Sequence, residues 1–186
     1  RRTAQAKPPP LLLAVPASLF ILDSPVGRLG LYHVGPDGEG AGLPPLLLVH
    51  STNAAGSMAE MAPLFQYYQR DRTVCALDLS GFGFSDRSER TYSPRLMTDA
   101  LLAVFAHMRD IHSVPAVDVA GLSLSSELVA RAQSERPDWV RCVALISPTG
   151  FSRSKRRYSP PSATLSVPWC TFCSPGRAGH KASATI

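Results

Sequence analysis

Three times in this chain, a short apolar run without alternation leads into a loop and then into a stretch with apolar residues at helical spacing. Leu46-Leu47-Leu48-Val49 precedes a segment carrying Met61, Leu64, Phe65 and Tyr68. Val74-Cys75-Ala76-Leu77 precedes one carrying Met97, Leu101, Val104, Phe105, Met108 and Ile111. Val117 to Leu122 precedes one carrying Leu128, Val129 and Ala132, and Val143-Ala144-Leu145-Ile146 closes the series. A strand that is apolar on both sides needs both faces covered. Alternation of such strands with helices demands a parallel sheet with helices packed on it, joined by right-handed crossovers.

Local signals punctuate this pattern. Ala17 to Leu22 and Arg28 to Val34 read as two strands joined by the turn residues Asp23-Ser24-Pro25-Val26-Gly27, hence a hairpin. Gly35 to Pro45 is a loop rich in Gly and Pro. Ser57 with Glu60 three positions on is a capping box for the first helix. Ser93 with Pro94 opens the second. The third is expected from Ser123 to Glu135, with Pro137 beyond its end. The expected fold is α/β: an N-terminal hairpin, then a mostly parallel sheet, about six strands in all, with helices on both faces. Residues 1–16 form a proline-rich lead, 17–150 the core, and 151–186 a Ser/Pro-rich tail without helical or strand period, expected to be disordered.

The net charge of +5 suggests a nucleic-acid partner, but its distribution argues against one. Residues 151–186 hold six Lys and Arg and no acid, which leaves thirteen basic against fourteen acidic residues in the body. Loss of all acids at an abrupt composition change is also what a frameshift or mis-spliced end would look like. Lys155-Arg156-Arg157 is read as a solvated run. No stretch of 18 or more apolar residues indicates a membrane span. The leader-like Leu11 to Val15 is broken up by Pro8-Pro9-Pro10 and Pro16, against a secretory signal. Cys75 and Cys142 fall inside strands as small apolar residues, and the four cysteines form no secreted disulfide framework. A cytoplasmic location follows as the expectation. Trp169-Cys170-Thr171-Phe172-Cys173 resembles a thioredoxin motif but lacks the flanking strand and helix. With His180, Cys170 and Cys173 fall one ligand short of a zinc site. No phosphate-binding or dinucleotide fingerprint occurs.

Ligands of parallel sheets bind beyond the carboxyl ends of the strands, so the residues after Val49, Leu77, Leu122 and Ile146 matter most. Gly121-Leu122-Ser123-Leu124-Ser125 lies where a strand meets a helix. A sharp turn there lifts a serine hydroxyl above the sheet edge and aims the free N–H groups of the helix at a reacting oxygen. The plainer reading is that Ser123 merely caps the helix. Asp78-Leu79-Ser80-Gly81-Phe82-Gly83-Phe84-Ser85-Asp86 follows the second buried strand, and His50-Ser51-Thr52-Asn53-Ala54-Ala55-Gly56 follows the first. Together these segments resemble the α/β-hydrolase superfamily, of the uncharacterised bacterial type, over Leu19 to Gly150. The first matches its G-x-S-x-G motif with Ser125 in place of the last Gly. The third is similar to its His-Gly loop with Ser51 in place of Gly.

The resemblance implies Ser123 as nucleophile and the backbone N–H groups of Thr52 and Leu124 as oxyanion hole, with Asn53 next in line. It implies that His50 shapes its loop and is not the base, and that Asp78 and Asp86 are structural. Substrates would be small molecules with an ester, thioester or related acyl bond. A serine at this place argues against haloalkanes and epoxides, which need a carboxylate nucleophile. No metal or organic cofactor is implied, and the sequence leaves the oligomeric state open. The family order is Ser, then Asp or Glu, then His. Downstream of Ser123 the acids are Glu127, Glu135 and Asp138, all on or just after the third helix, and the one histidine is His180. His33, His107 and His112 precede the nucleophile. The expectation is therefore an incomplete hydrolase, truncated before the Asp and His of the triad and inactive or weakly active. Its rivals are a non-catalytic binding protein of the same fold and an unstable truncated gene product.

Overall fold

A computed structural model describes residues 13, 15–35 and 42–149. The expectations for the proline-rich lead, apart from Leu13, Val15 and Pro16, and for the tail from Phe151 on lie outside the described residues. So do the motifs in that tail, the Trp169–Cys173 run, Lys155-Arg156-Arg157 and His180 among them.

Among the described residues, six strands form one sheet. β1 (Ser18–Ser24) and β2 (Gly27–Val34) make the hairpin. β3 (Leu46–Val49), β4 (Val74–Asp78), β5 (Val117–Leu122) and β6 (Val140–Ile146) follow in the chain. Their spatial order is β1-β2-β4-β3-β5-β6. The hairpin joins antiparallel through β2 and β4, and the other neighbours are parallel. The helices are α1 (Ala62–Tyr68), α2 (Pro94–Ile111) and α3 (Ser125–Glu135). This is the expected α/β architecture. Every residue of β3 and β4 is buried, as strands covered on both faces must be.

Alternate residues of these strands feed two separate cores. Leu47, Val49, Cys75, Leu77 and Val119 pack with Leu101, Val104 and Phe105 of α2 and Leu128, Val129 and Ala132 of α3. Leu46, Leu48, Val74, Ala76 and Ala120 pack with Met58, Met61 and Phe65 on the other face. A two-residue side-chain period sorts one continuous apolar run between the two layers. Below them, Asp118 of β5 takes an ion pair from Arg72 at 2.7 Å and a second from Arg141 at 2.5 Å.

The structure corrects several local expectations. Helix α3 begins at Ser125, not Ser123, and β6 starts three residues earlier, at Val140. The first helical segment opens as a 3₁₀ turn over Met58–Met61. Ser57 caps it through the Ala59 N–H. Glu60, however, does not close the capping box. Its carboxylate turns to Ser51, accepting from the Ser51 N–H at 2.8 Å. Ser93 caps α2 as expected, accepting from the Leu96 N–H at 3.2 Å. Ile111 is exposed rather than part of the buried stripe of α2. The stripe runs on in steps of three and four through Leu101, Phe105 and Met108 to His112, because 100° per residue brings that position inward.

Candidate active site

The carboxyl ends of β3, β4 and β5 carry the expected site residues on adjacent strands, with β3 in the middle. Ser123 lies between β5 and α3 with a φ of 56°. That left-handed conformation costs an L-residue about 1–3 kcal/mol and persists only where the surroundings enforce it. Here the Ser123 N–H is held by the Ile146 carbonyl at the end of β6, at 2.9 Å, and its carbonyl accepts from Ser126 N–H at 3.1 Å. One face of the turn is thereby tied to the neighbouring strand and the other to the new helix. Gly121 permits the close passage: a Cβ there would meet Val129 Cγ2 at 3.0 Å and the Ser125 carbonyl oxygen at 3.1 Å.

Ser125, at the position where the motif has its last glycine, is fully buried. Its hydroxyl donates to the His50 carbonyl at 2.6 Å and lies 3.1 Å from Thr52 Oγ1. It thus joins the loop after β3 to the turn after β5 across 73 residues of sequence. Ser126 adds a bond from its hydroxyl to the Gly121 carbonyl at 3.0 Å. Neither the Thr52 N–H nor the Leu124 N–H is taken by an acceptor among the described residues. Leu124 is exposed and Thr52 half-buried at this rim.

The loop after β3 is fixed from both ends. Glu60 accepts from the Ser51 N–H and hydroxyl, and from Asn53 Nδ2 at 2.9 Å. Partial burial works against its charged form. The hydrogen bonds from Ser51 and Asn53 outweigh that and hold its pKa below the ordinary glutamate value. His50, fully buried, has both ring nitrogens engaged. Nε2 accepts from the Leu79 N–H at 3.1 Å, and Nδ1 faces the Ser51 carbonyl at 2.7 Å. An Nε2 that accepts leaves Nδ1 as the protonated nitrogen, donating to Ser51. Burial lowers the pKa of this ring. The Ser51 carbonyl and the charges of Asp78 and Glu60 pull the other way without prevailing. A neutral ring with no free nitrogen fastens one loop to the next.

The third loop hangs on Asp78. Its Oδ2 accepts from the Phe84 N–H at 2.9 Å and its Oδ1 from the Met58 N–H at 3.3 Å. Gly83, with a φ of 46°, is forced by this packing: a Cβ would fall 1.9 Å from Asp78 Oδ2. Ser85 donates to the Asp78 carbonyl and accepts from the Gly30 N–H at 2.8 Å.

No imidazole among the described residues has a free nitrogen beside Ser123. His33 and His112 stack on each other at 5.5 Å beside Cys75 of β4. Through Leu47, Cys75 is in register with Val119, four residues before Ser123, so this cluster lies about 13 Å down the strands. Glu127 and Glu135 are paired with Arg131 at 2.6 Å and Arg95 at 2.5 Å. Ser125 and Glu60 are the two site residues whose roles escaped sequence reasoning. The first was visible as a departure from the motif, the second as a capping partner. A groove of about 640 Å³ between the hairpin turn and α2 carries none of these residues.

Comparison with known proteins now bears on this arrangement. Many solved structures share the fold, among them these three. An α/β serine hydrolase without lid from Xanthomonas campestris has a TM-score of 0.59 at 23% identity, over 75% of this chain and 64% of its own. An α-β serine hydrolase homologue from Coxiella burnetii has a TM-score of 0.65 at 17% identity, over 82% and 71%. Naproxen esterase from Bacillus subtilis has a TM-score of 0.59 at 21% identity, over 72% and 44%. This chain therefore spans between 44% and 71% of the length of these structures. No curated protein matches it by sequence. No helix among the described residues is long and apolar enough to cross a membrane. The family profile described as the alpha/beta hydrolase fold matches residues 44–166, about two thirds of the chain. With the strand order, the turn at Ser123 and the paired loops already in place, this chain belongs to the α/β-hydrolase fold family.

Proposed function

We propose that this chain carries the nucleophile half of a serine hydrolase acting on small molecules with an ester, thioester or related acyl bond. Ser123 Oγ attacks the carbonyl carbon. The oxyanion that forms is received by the N–H groups of Thr52 and Leu124, aided by the positive end of α3. The observation that carries this reading is the left-handed φ of Ser123, held from β6 and α3. A residue that only capped a helix would lie in the extended region, as Ser57 and Ser93 do. The bond from Ser125 to the His50 carbonyl supports the pairing of the two N–H donors, since it binds their loops together.

The attack transfers the serine proton to a base, which an acid must orient. His50 is engaged at both nitrogens, and the His33–His112 pair lies at the other end of the sheet. The base and acid are accordingly assigned to groups outside the described residues or to another chain. Without them, catalysis falls to a residual of about 10³–10⁴ over water.

Labelling of the purified chain by a serine-directed fluorophosphonate, with Ser123→Ala as control, tests the reading. Rapid labelling lost in the variant supports an activated nucleophile. Labelling that survives Ser123→Ala removes Ser123 from the role. That no free imidazole stands beside Ser123 among the described residues also favours a second reading, a non-catalytic binding protein of the same fold. It predicts no labelling at any pH, together with saturable binding of an acyl compound that the Thr52 loop senses.

A further inference from the structure

At the opposite end of the sheet, three ligating side chains from separate elements converge. His33 of β2 and Cys75 of β4 are direct cross-strand partners in the antiparallel pair, a placement that puts both side chains on one face. That is the face on which α2 packs, and the helix ends there at His112. The His33 and His112 rings stack at 5.5 Å and 13°. One ligand atom from each of the three residues lies within 4.8 Å of the other two.

Nε2 of His33 and Nε2 of His112 are both buried without a hydrogen-bond partner. A buried polar atom left unpaired costs about 1–3 kcal/mol, and two side by side call for a common explanation. Burial is the main cause that lowers the pKa of both rings, with a neighbouring histidine adding to it: His107 for His33, His33 and His107 for His112. Burial pushes the Cys75 thiol up to about 12, so it needs a cation to ionise it.

We propose that His33, Cys75 and His112 form a binding site for one thiophilic divalent cation, with Zn²⁺ the best fit. Two imidazoles and a thiolate are a borderline-soft donor set that rejects Mg²⁺ and Ca²⁺. Tetrahedral zinc bonds of about 2.0–2.3 Å place the ligand atoms about 3.3–3.6 Å apart, so side-chain rotations of about 1 Å close the triangle. The metal replaces the thiol proton: the S–H bond breaks, the S–metal bond forms, and the proton leaves to solvent. Bound there, the ion ties the end of α2 to β2 and β4. It lies far from Ser123 and is independent of the chemistry proposed for that residue.

The test uses the full chain carrying Cys170→Ser and Cys173→Ser, which removes the two thiols that lie close to each other in sequence. The reduced, chelator-treated protein is titrated with Co²⁺, then with Zn²⁺. Expected are one Co²⁺ per chain, a thiolate-to-cobalt charge-transfer band with intense visible bands of a four-coordinate site, and displacement by Zn²⁺. Zn²⁺ raises the thermal midpoint. Adding Cys75→Ser abolishes the charge-transfer band, and His33→Gln or His112→Gln weakens binding at least about tenfold. Circular dichroism checks that each variant is folded. The two histidine substitutions, at partly exposed positions, keep the test decisive if Cys75→Ser does not fold. Absence of the band, its persistence in Cys75→Ser, or unchanged affinity in both histidine variants overturns the proposal.

Discussion

Replacing Ser125 with Ala probes the joint between the two loops of the candidate site. The Ser125 side chain is fully buried, and its hydroxyl serves the His50 carbonyl at 2.6 Å and Thr52 Oγ1 at 3.1 Å. Alanine keeps the helix start but leaves a buried carbonyl without that donor. A buried group so stranded costs about 1–3 kcal/mol, and we take about 2 kcal/mol. That is a roughly thirtyfold drop in the folding constant, at tenfold per 1.4 kcal/mol. Urea denaturation reads it directly. With a slope of about 2 kcal/mol per molar, expected for a small protein, the midpoint falls by about 1 M. Thr52→Val removes the other hydroxyl. The two substitutions together should cost less than their sum by about 0.5 kcal/mol or more, since neighbours that share a bond are coupled. A midpoint shift below about 0.2 M for Ser125→Ala, or strict additivity in the cycle, would refute the view that this hydroxyl joins the loops.

Three further perturbations follow from the same geometry. Gly83→Ala forces a Cβ onto the Asp78 carboxylate at a left-handed φ, so urea unfolding should show a loss of at least about 2 kcal/mol. Asp118→Ala strands the nearly buried Arg72, and removing one partner of such a pair costs about 3–5 kcal/mol, read as a large fall in thermal midpoint. Glu60 has a pKa held below its ordinary value, 4.5. Its contribution is full above that value and is lost as pH falls through the lower, folded one. Glu60→Gln should therefore lower stability across the neutral region, and the two stability-against-pH curves should converge as pH falls below about 4.5.

The strand–helix alternation was legible in the sequence because buried parallel strands and amphipathic helices write different apolar periods. The hairpin, the four later strands and the caps at Ser57 and Ser93 all came from local chemistry of this kind. The boundary at Ser123 did not. A serine before a helix reads as the first helical residue, and only the bond from its N–H to β6 reveals the left-handed turn. Glu60 likewise satisfies a local capping pattern, yet nine residues away Ser51 presents two donors to it, and tertiary contact wins.

What the sequence determined by itself is the layer order, since periodicity and turn residues act within a few positions of themselves. Tertiary structure alone decided which distant groups share a hydrogen bond: Ser125 with His50, His50 with Leu79, Asp78 with Met58. It also brought His33, Cys75 and His112 together from three elements whose spacing in the chain forms no motif. Sheet order and helix packing set such encounters, and they leave no local trace because the energy that selects them belongs to the assembled core.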